Sequence, residues 1–91
     1  ATIADALRET VHLYNELILQ EAILRIRIRA VETSESQLSL SRDLQAGGLA
    51  TRLEVLQAET QLSQDRQNLI DQQIARRDAA IRLSDHLSLP Q

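Results

Sequence analysis

The sequence predicts an all-α fold: one long antiparallel two-helix coiled-coil hairpin. Three observations predict it. Both glycines are adjacent, at Gly47-Gly48, and the single proline is Pro90, so helix-breaking residues fall in the middle and at the end. Apolar residues recur at three-, four- and seven-residue steps on both sides of the glycines, the spacing of a helix rather than a strand. The composition is 43% hydrophobic and 25% charged, with Tyr14 the lone aromatic. Compact cores of this chain length draw on several aromatics, whereas chains rich in Ala, Glu, Leu and Arg, with Gln added here, belong to long helices and coiled coils.

The first helix is expected over about 3–46, with Ile3, Leu7, Val11, Tyr14, Leu17, Leu24, Ile28, Val31 and Leu38 on its main apolar stripe. A partial second stripe runs beside it through Leu13, Ile18, Ile23 and Ile26. Leu24-Arg25-Ile26-Arg27-Ile28-Arg29 alternates with period two, as a half-buried or barrel strand would. Its flanks are helical in pattern and no turn signal bounds it, so helix is expected there too. In a helix Glu21, Arg25 and Arg29 line up four apart, acidic residue first, which is the favourable order. The run Thr33-Ser34-Glu35-Ser36-Gln37-Leu38-Ser39-Leu40-Ser41 reads as low-propensity helix, or as a place where small side chains let another helix approach.

The turn is expected over 47–50. Gly47 or Gly48 can take the left-handed conformation that ends a helix, and Thr51-Arg52-Leu53-Glu54 fits a capping box, with Thr51 as N-cap and Glu54 reaching back. The second helix, about 51–87, carries Leu53, Leu56, Leu62, Leu69, Ile70, Ile74, Ile81 and Leu87, with Val55, Leu62, Leu69 and Leu83 on a neighbouring stripe. Arms of about 40 residues would be ~60 Å long, against a radius of gyration of ~12 Å for a compact domain of this size. A thin rod with two apolar stripes per helix calls for helical neighbours on both sides, and self-association is expected.

A net charge of −3 and an acidic pI make nucleic acid an unexpected partner. Absent cysteine excludes a disulfide scaffold and a Cys-based metal site. No apolar run approaches the ~18 residues of a transmembrane helix, and Ala1-Thr2-Ile3-Ala4-Asp5 does not read as a secretory signal.

No catalytic constellation stands out, and neither an enzyme nor a cofactor is expected. Ser34, Ser36, Ser39, Ser41, Ser63, Ser84 and Ser88 lack the strand–turn–helix elbow that exposes a nucleophile. Glu54 and Glu59 are explained by capping and solvation, and Gly47-Gly48 has no lysine and follows no strand, as a phosphate loop would require. If the arms pair about Gly48, residues whose numbers add to roughly 97 face each other in such a hairpin. That puts His12 and His86 at one level, near Glu9, Glu16 and Asp85; two solvated histidines is the plainer reading, and no metal is expected. Arg25, Arg27, Arg29, Arg76, Arg77 and Arg82 read as solvated faces and interhelical ion pairs, since acidic residues intersperse them and no aromatic platform accompanies them.

The segment Ala46-Gly47-Gly48-Leu49-Ala50-Thr51-Arg52-Leu53-Glu54-Val55-Leu56-Gln57-Ala58-Glu59 resembles the outer-membrane efflux protein family, the TolC-like channels. In that family a Gly-Leu turn precedes a small or hydroxyl residue, an acidic residue, then Val-Leu and an Ala-containing helix. Here these are Gly48, Leu49, Thr51, Glu54, Val55, Leu56 and Ala58. The resemblance continues through Gln61-Leu62, Asp65-Arg66, Leu69, Ala79-Ala80 and Leu83 to Leu87-Ser88-Leu89-Pro90, and upstream through Val11 to Leu17. Some members have Val before the Gly-Leu pair, where this sequence has Gly47, and the family's membrane strands are not among these residues.

The resemblance implies one helical hairpin of the periplasmic α-helical barrel that three subunits build, hence a homotrimer and a periplasmic location on an outer-membrane protein. It further implies that the tip, Gly47, Gly48, Leu49, Thr51 and Arg52, docks a periplasmic adaptor and, through it, an inner-membrane pump. A cap in which Leu49 simply packs back on Val55 or Leu53 is the competing account of the tip. Two other functions stay open: a hairpin of a periplasmic adaptor itself, and a coiled-coil oligomerisation module with no role in transport.

Overall fold

A computed structural model describes residues 2–88. They form two helices, α1 (Ile3–Ala46) and α2 (Arg52–Leu87), packed side by side as an antiparallel hairpin. The rod measures 68 × 16 × 13 Å and has a radius of gyration of 20.3 Å. The Leu89-Pro90 ending of the sequence pattern lies outside the described residues.

Both helices are started by local hydrogen bonding. Thr2 caps α1, its hydroxyl accepting from the Asp5 amide at 3.1 Å. Asp5 then places a negative charge in the first turn, against the positive end of the helix dipole. α1 runs unbroken through Leu24–Arg29, so the period-two alternation there is not a strand. The glutamines of α2 have a local role as well. Gln61, Gln64 and Gln67 each donate to a side chain four residues on, Asp65 at 3.2 Å, Asn68 at 3.2 Å and Asp71 at 3.0 Å.

The helices meet along a seam with alternating steps of three and four. On α1 it comprises Thr10, Leu13, Leu17, Gln20, Leu24, Val31, Ser34, Leu38, Ser41 and Gln45, all buried or half-buried. On α2 it comprises Val55, Ala58, Leu62, Asp65, Leu69, Gln72, Ala79, Leu83 and His86. This is the seven-residue repeat of a coiled coil. Val31, Leu38, Val55 and Leu62 form the apolar core, with Ala58 and Leu69 packed against it.

This seam corrects the expected main stripes. Leu7, Val11 and Tyr14 are 61%, 57% and 55% exposed, and Ile28, Leu53, Leu56, Ile70, Ile74 and Ile81 also face out. The neighbouring stripe through Val55, Leu62, Leu69 and Leu83 is the one α2 buries. Six of the polar residues in the seam pair across it. Ser34 Oγ donates to Asp65 Oδ2, and Gln72 Nε2 donates to Gln20 Oε1 at 2.6 Å and to the Gln20 carbonyl at 3.0 Å. His86 Nε2 lies 2.9 Å from Thr10 Oγ1 and 3.3 Å from the Ala6 carbonyl. Counting apolar residues along one helix cannot see pairs of this kind. Among the described residues no buried side-chain nitrogen or oxygen lacks a partner. Of the serine run, Ser34 is buried in the seam at 4% exposure and Ser41 is half-buried, whereas Ser36 and Ser39 face out.

Candidate functional site: the hairpin tip

The tip is built by three backbone hydrogen bonds, the first from the Gly47 amide to the Asp43 carbonyl at 3.1 Å, and one reciprocal side-chain cap. α1 ends at Ala46 with Gly47 as C-cap, at φ −84° and ψ 1°. Gly48 takes the left-handed conformation, with φ 77°. The Gly48 amide donates to the Gln45 carbonyl at 3.0 Å and the Leu49 amide to the Leu44 carbonyl at 2.7 Å, which together make a Schellman motif. Of the two glycines, Gly48 is therefore the one whose conformation needs glycine. The chain then re-enters helix at once. The Thr51 hydroxyl accepts from the Glu54 amide at 3.2 Å, and the Glu54 carboxylate accepts from the Thr51 amide at 3.1 Å. Both halves of the capping box are present.

This packing of signals leaves Leu49 with its amide engaged and its side chain free. It is 79% exposed, so it is not packed back against Leu53, itself 63% exposed, or against Val55, which is buried in the seam. Gly47, Gly48, Thr51 and Arg52 are exposed around it, and Ala50 is half-buried. Behind the tip Arg42 of α1 and Glu59 of α2 form an ion pair at 3.4 Å. The end of the rod thus presents an apolar side chain on a doubly capped, conformationally fixed turn. Chemically such a surface can be buried by a partner.

The other candidate residues do not assemble into a site. His86 turns into the seam towards Thr10 and Ala6, whereas His12 is exposed on the outer face of α1, beside Leu7, Arg8, Val11 and Asn15. The two histidines are not paired, because the seam passes through Thr10 and Leu13 and leaves His12 outside it. Among the described residues no three His, Cys, Asp or Glu side chains are placed to share a metal ion. Arg25, Arg27, Arg29, Arg76, Arg77 and Arg82 are exposed. The ion pairs among the described residues are Arg42–Glu59 and Arg8–Asp5, so the expected interhelical pairing of those six arginines is not made. No described helix is long and apolar enough to cross a membrane.

Sequence reasoning missed the Thr2 cap and the Gln20–Gln72 and Thr10–His86 pairs. Thr2-Ile3-Ala4-Asp5 carries the signal for the cap, a hydroxyl residue three before an acid. The two pairs have no signal in one strand of sequence, since they join positions 52 and 76 residues apart. Compared with known protein families, curated proteins and solved structures, the chain matches none.

Proposed function

We propose that this chain is a helical hairpin of the periplasmic barrel of a TolC-like outer-membrane efflux duct, and that its tip docks a periplasmic adaptor coupled to an inner-membrane pump. The observation that carries the reading is the tip: Leu49 stands 79% exposed on a turn fixed by a Schellman motif and a capping box. An exposed leucine at the one end shared by both arms contributes nothing to the hairpin's own packing. A docking partner would bury it.

The rod's surface supports assembly with further copies. It exposes 6795 Å², against about 5,300 Å² for a compact monomer of its mass. Exposed apolar side chains line it, Leu7, Val11, Tyr14 and Ile18 on α1 and Ile70, Ile74 and Ile81 on α2. In the proposed barrel these faces are covered by neighbouring helices of a homotrimer, and the role is structural, with no catalysis or cofactor.

The test is Leu49→Asp in a complete subunit. The substitution should change stability by no more than ~1 kcal/mol, as at any exposed site, while adaptor binding and efflux fail. Normal export by a fully folded Leu49→Asp channel would remove the docking role.

A further inference from the structure

The two ends of the rod are held together by different physics. Five of its six buried residues, Val31, Ser34, Leu38, Val55 and Leu62, lie in the tip-proximal half. Among the described residues the half distal to the tip contributes Ala79 alone. There the seam consists of half-buried leucines, Leu13, Leu17, Leu24 and Leu83, joined by the Gln20–Gln72 and Thr10–His86 hydrogen bonds. Between the halves α1 presents five consecutive exposed residues, Arg25 to Arg29. The seven-residue repeat puts Arg27 of α1 and Arg76 of α2 at seam positions, yet both are exposed. The seam is thus interrupted at Arg27, which the Ser34–Asp65 and Gln20–Gln72 pairs place level with Leu69. It is interrupted a second time at Arg76, inside the distal half, and neither arginine is in an ion pair across it.

We infer that the hairpin is two cooperative units, a tip-proximal clamp and a distal half that opens separately, with the division at Arg25–Arg29 of α1. Apolar burial excludes water from the clamp, so its helices separate only with loss of the core. In the distal half water can replace the polar bridges nearly one for one, because an exposed or half-exposed hydrogen bond contributes little net stability. Separation there costs only partial burial of leucines. The opening also exposes little new apolar surface, since Leu7, Val11, Tyr14, Ile18 and Ile81 already face outward. Local opening of contiguous units well below the global unfolding free energy is a general property of folded chains. Here the sequence locates the boundary. The inference is independent of what the tip binds.

Native-state hydrogen exchange of the 91-residue chain, read by mass spectrometry or NMR, tests this. Amides of residues 31–45 and 55–69 should exchange at least ~10-fold more slowly than those of 10–24 and 72–86, with a step at 25–29. A second measurement uses Gln20→Leu/Gln72→Leu, which replaces a polar bridge by an apolar contact. It should slow distal exchange by ~10-fold and leave the clamp unchanged, since burying leucine is favourable by more than the bridge it replaces. Equal protection in both halves, a smooth gradient from the open end without a step, or a double variant that slows both halves together would each overturn the inference. Exchange is read on dilute, monomeric chain, because cover of the distal faces by a second copy would protect them.

Discussion

Alanine at Gly48 and alanine at Gly47 should have opposite effects, although the residues are neighbours of one type. At Gly48 φ is +77°, and a Cβ built there meets nothing within 4 Å. The whole cost is therefore backbone strain, about 1–2 kcal/mol for a side chain forced into the left-handed region. Alanine also narrows the unfolded ensemble, which offsets about 0.4–1 kcal/mol of that. The net expectation is a loss of about 1 kcal/mol, or a Tm lower by about 4–8 °C for a chain of this size. At Gly47 φ is −84° and ψ is 1°, the conformation that L-residues adopt at the third position of type I turns. A Cβ there would meet the Asp43 and Leu44 carbonyl oxygens at 3.7 Å, ordinary contact. Only the unfolded-state effect remains, so Gly47→Ala should stabilise by about 0.4–1 kcal/mol. Thermal and urea unfolding followed by circular dichroism measures both, at one fixed protein concentration because association would shift the midpoint. Equal losses from the two variants, or a neutral Gly48→Ala, would refute the assignment of the Schellman turn to this pair.

Removing the other side of the tip has its own expected size. Thr51→Ala leaves the Glu54 amide without its acceptor and should cost about 1 kcal/mol in the urea midpoint. Leu62→Ala should cost about 2–3 kcal/mol, the low end for a buried leucine because a two-helix seam surrounds it on one side only; Leu53→Ala, on an exposed face, should stay within about 0.5 kcal/mol. Arg42→Ala removes an ion pair whose side chains are 60% and 42% exposed. It should cost less than about 1 kcal/mol, and the difference from the parent chain should vanish in high salt.

The secondary structure and the tip were legible in the sequence because both rest on hydrogen bonds between residues a few positions apart. Gly47-Gly48 stops one helix, Thr51 and Glu54 start the next, and the absence of other breakers lets both run long. Even Leu24–Arg29, whose alternation imitates a strand, is helical, since an isolated strand there would leave its backbone groups without partners while the helix satisfies them internally. The tip residues are adjacent in sequence, so the candidate site could be named before the fold was known. What it does with Leu49 could not, because burial or exposure of that side chain depends on where α2 leaves the turn.

Only the tertiary structure decided which face of each helix meets the other. Leu7, Val11 and Tyr14 extend the stripe of Leu17, Leu24 and Val31 at plausible helical steps, and a seven-residue seam still excludes them. On α2 the richer stripe through Ile70, Ile74 and Ile81 loses to the one bearing Asp65, Gln72 and His86. The reason is that burial of a seam is a property of pairs. Ser34 needs Asp65, Gln20 needs Gln72 and Thr10 needs His86, and each polar group is tolerated in the seam only where its partner arrives from the other helix. Local hydrogen bonding made two helices and a turn, and matching across the turn chose the face.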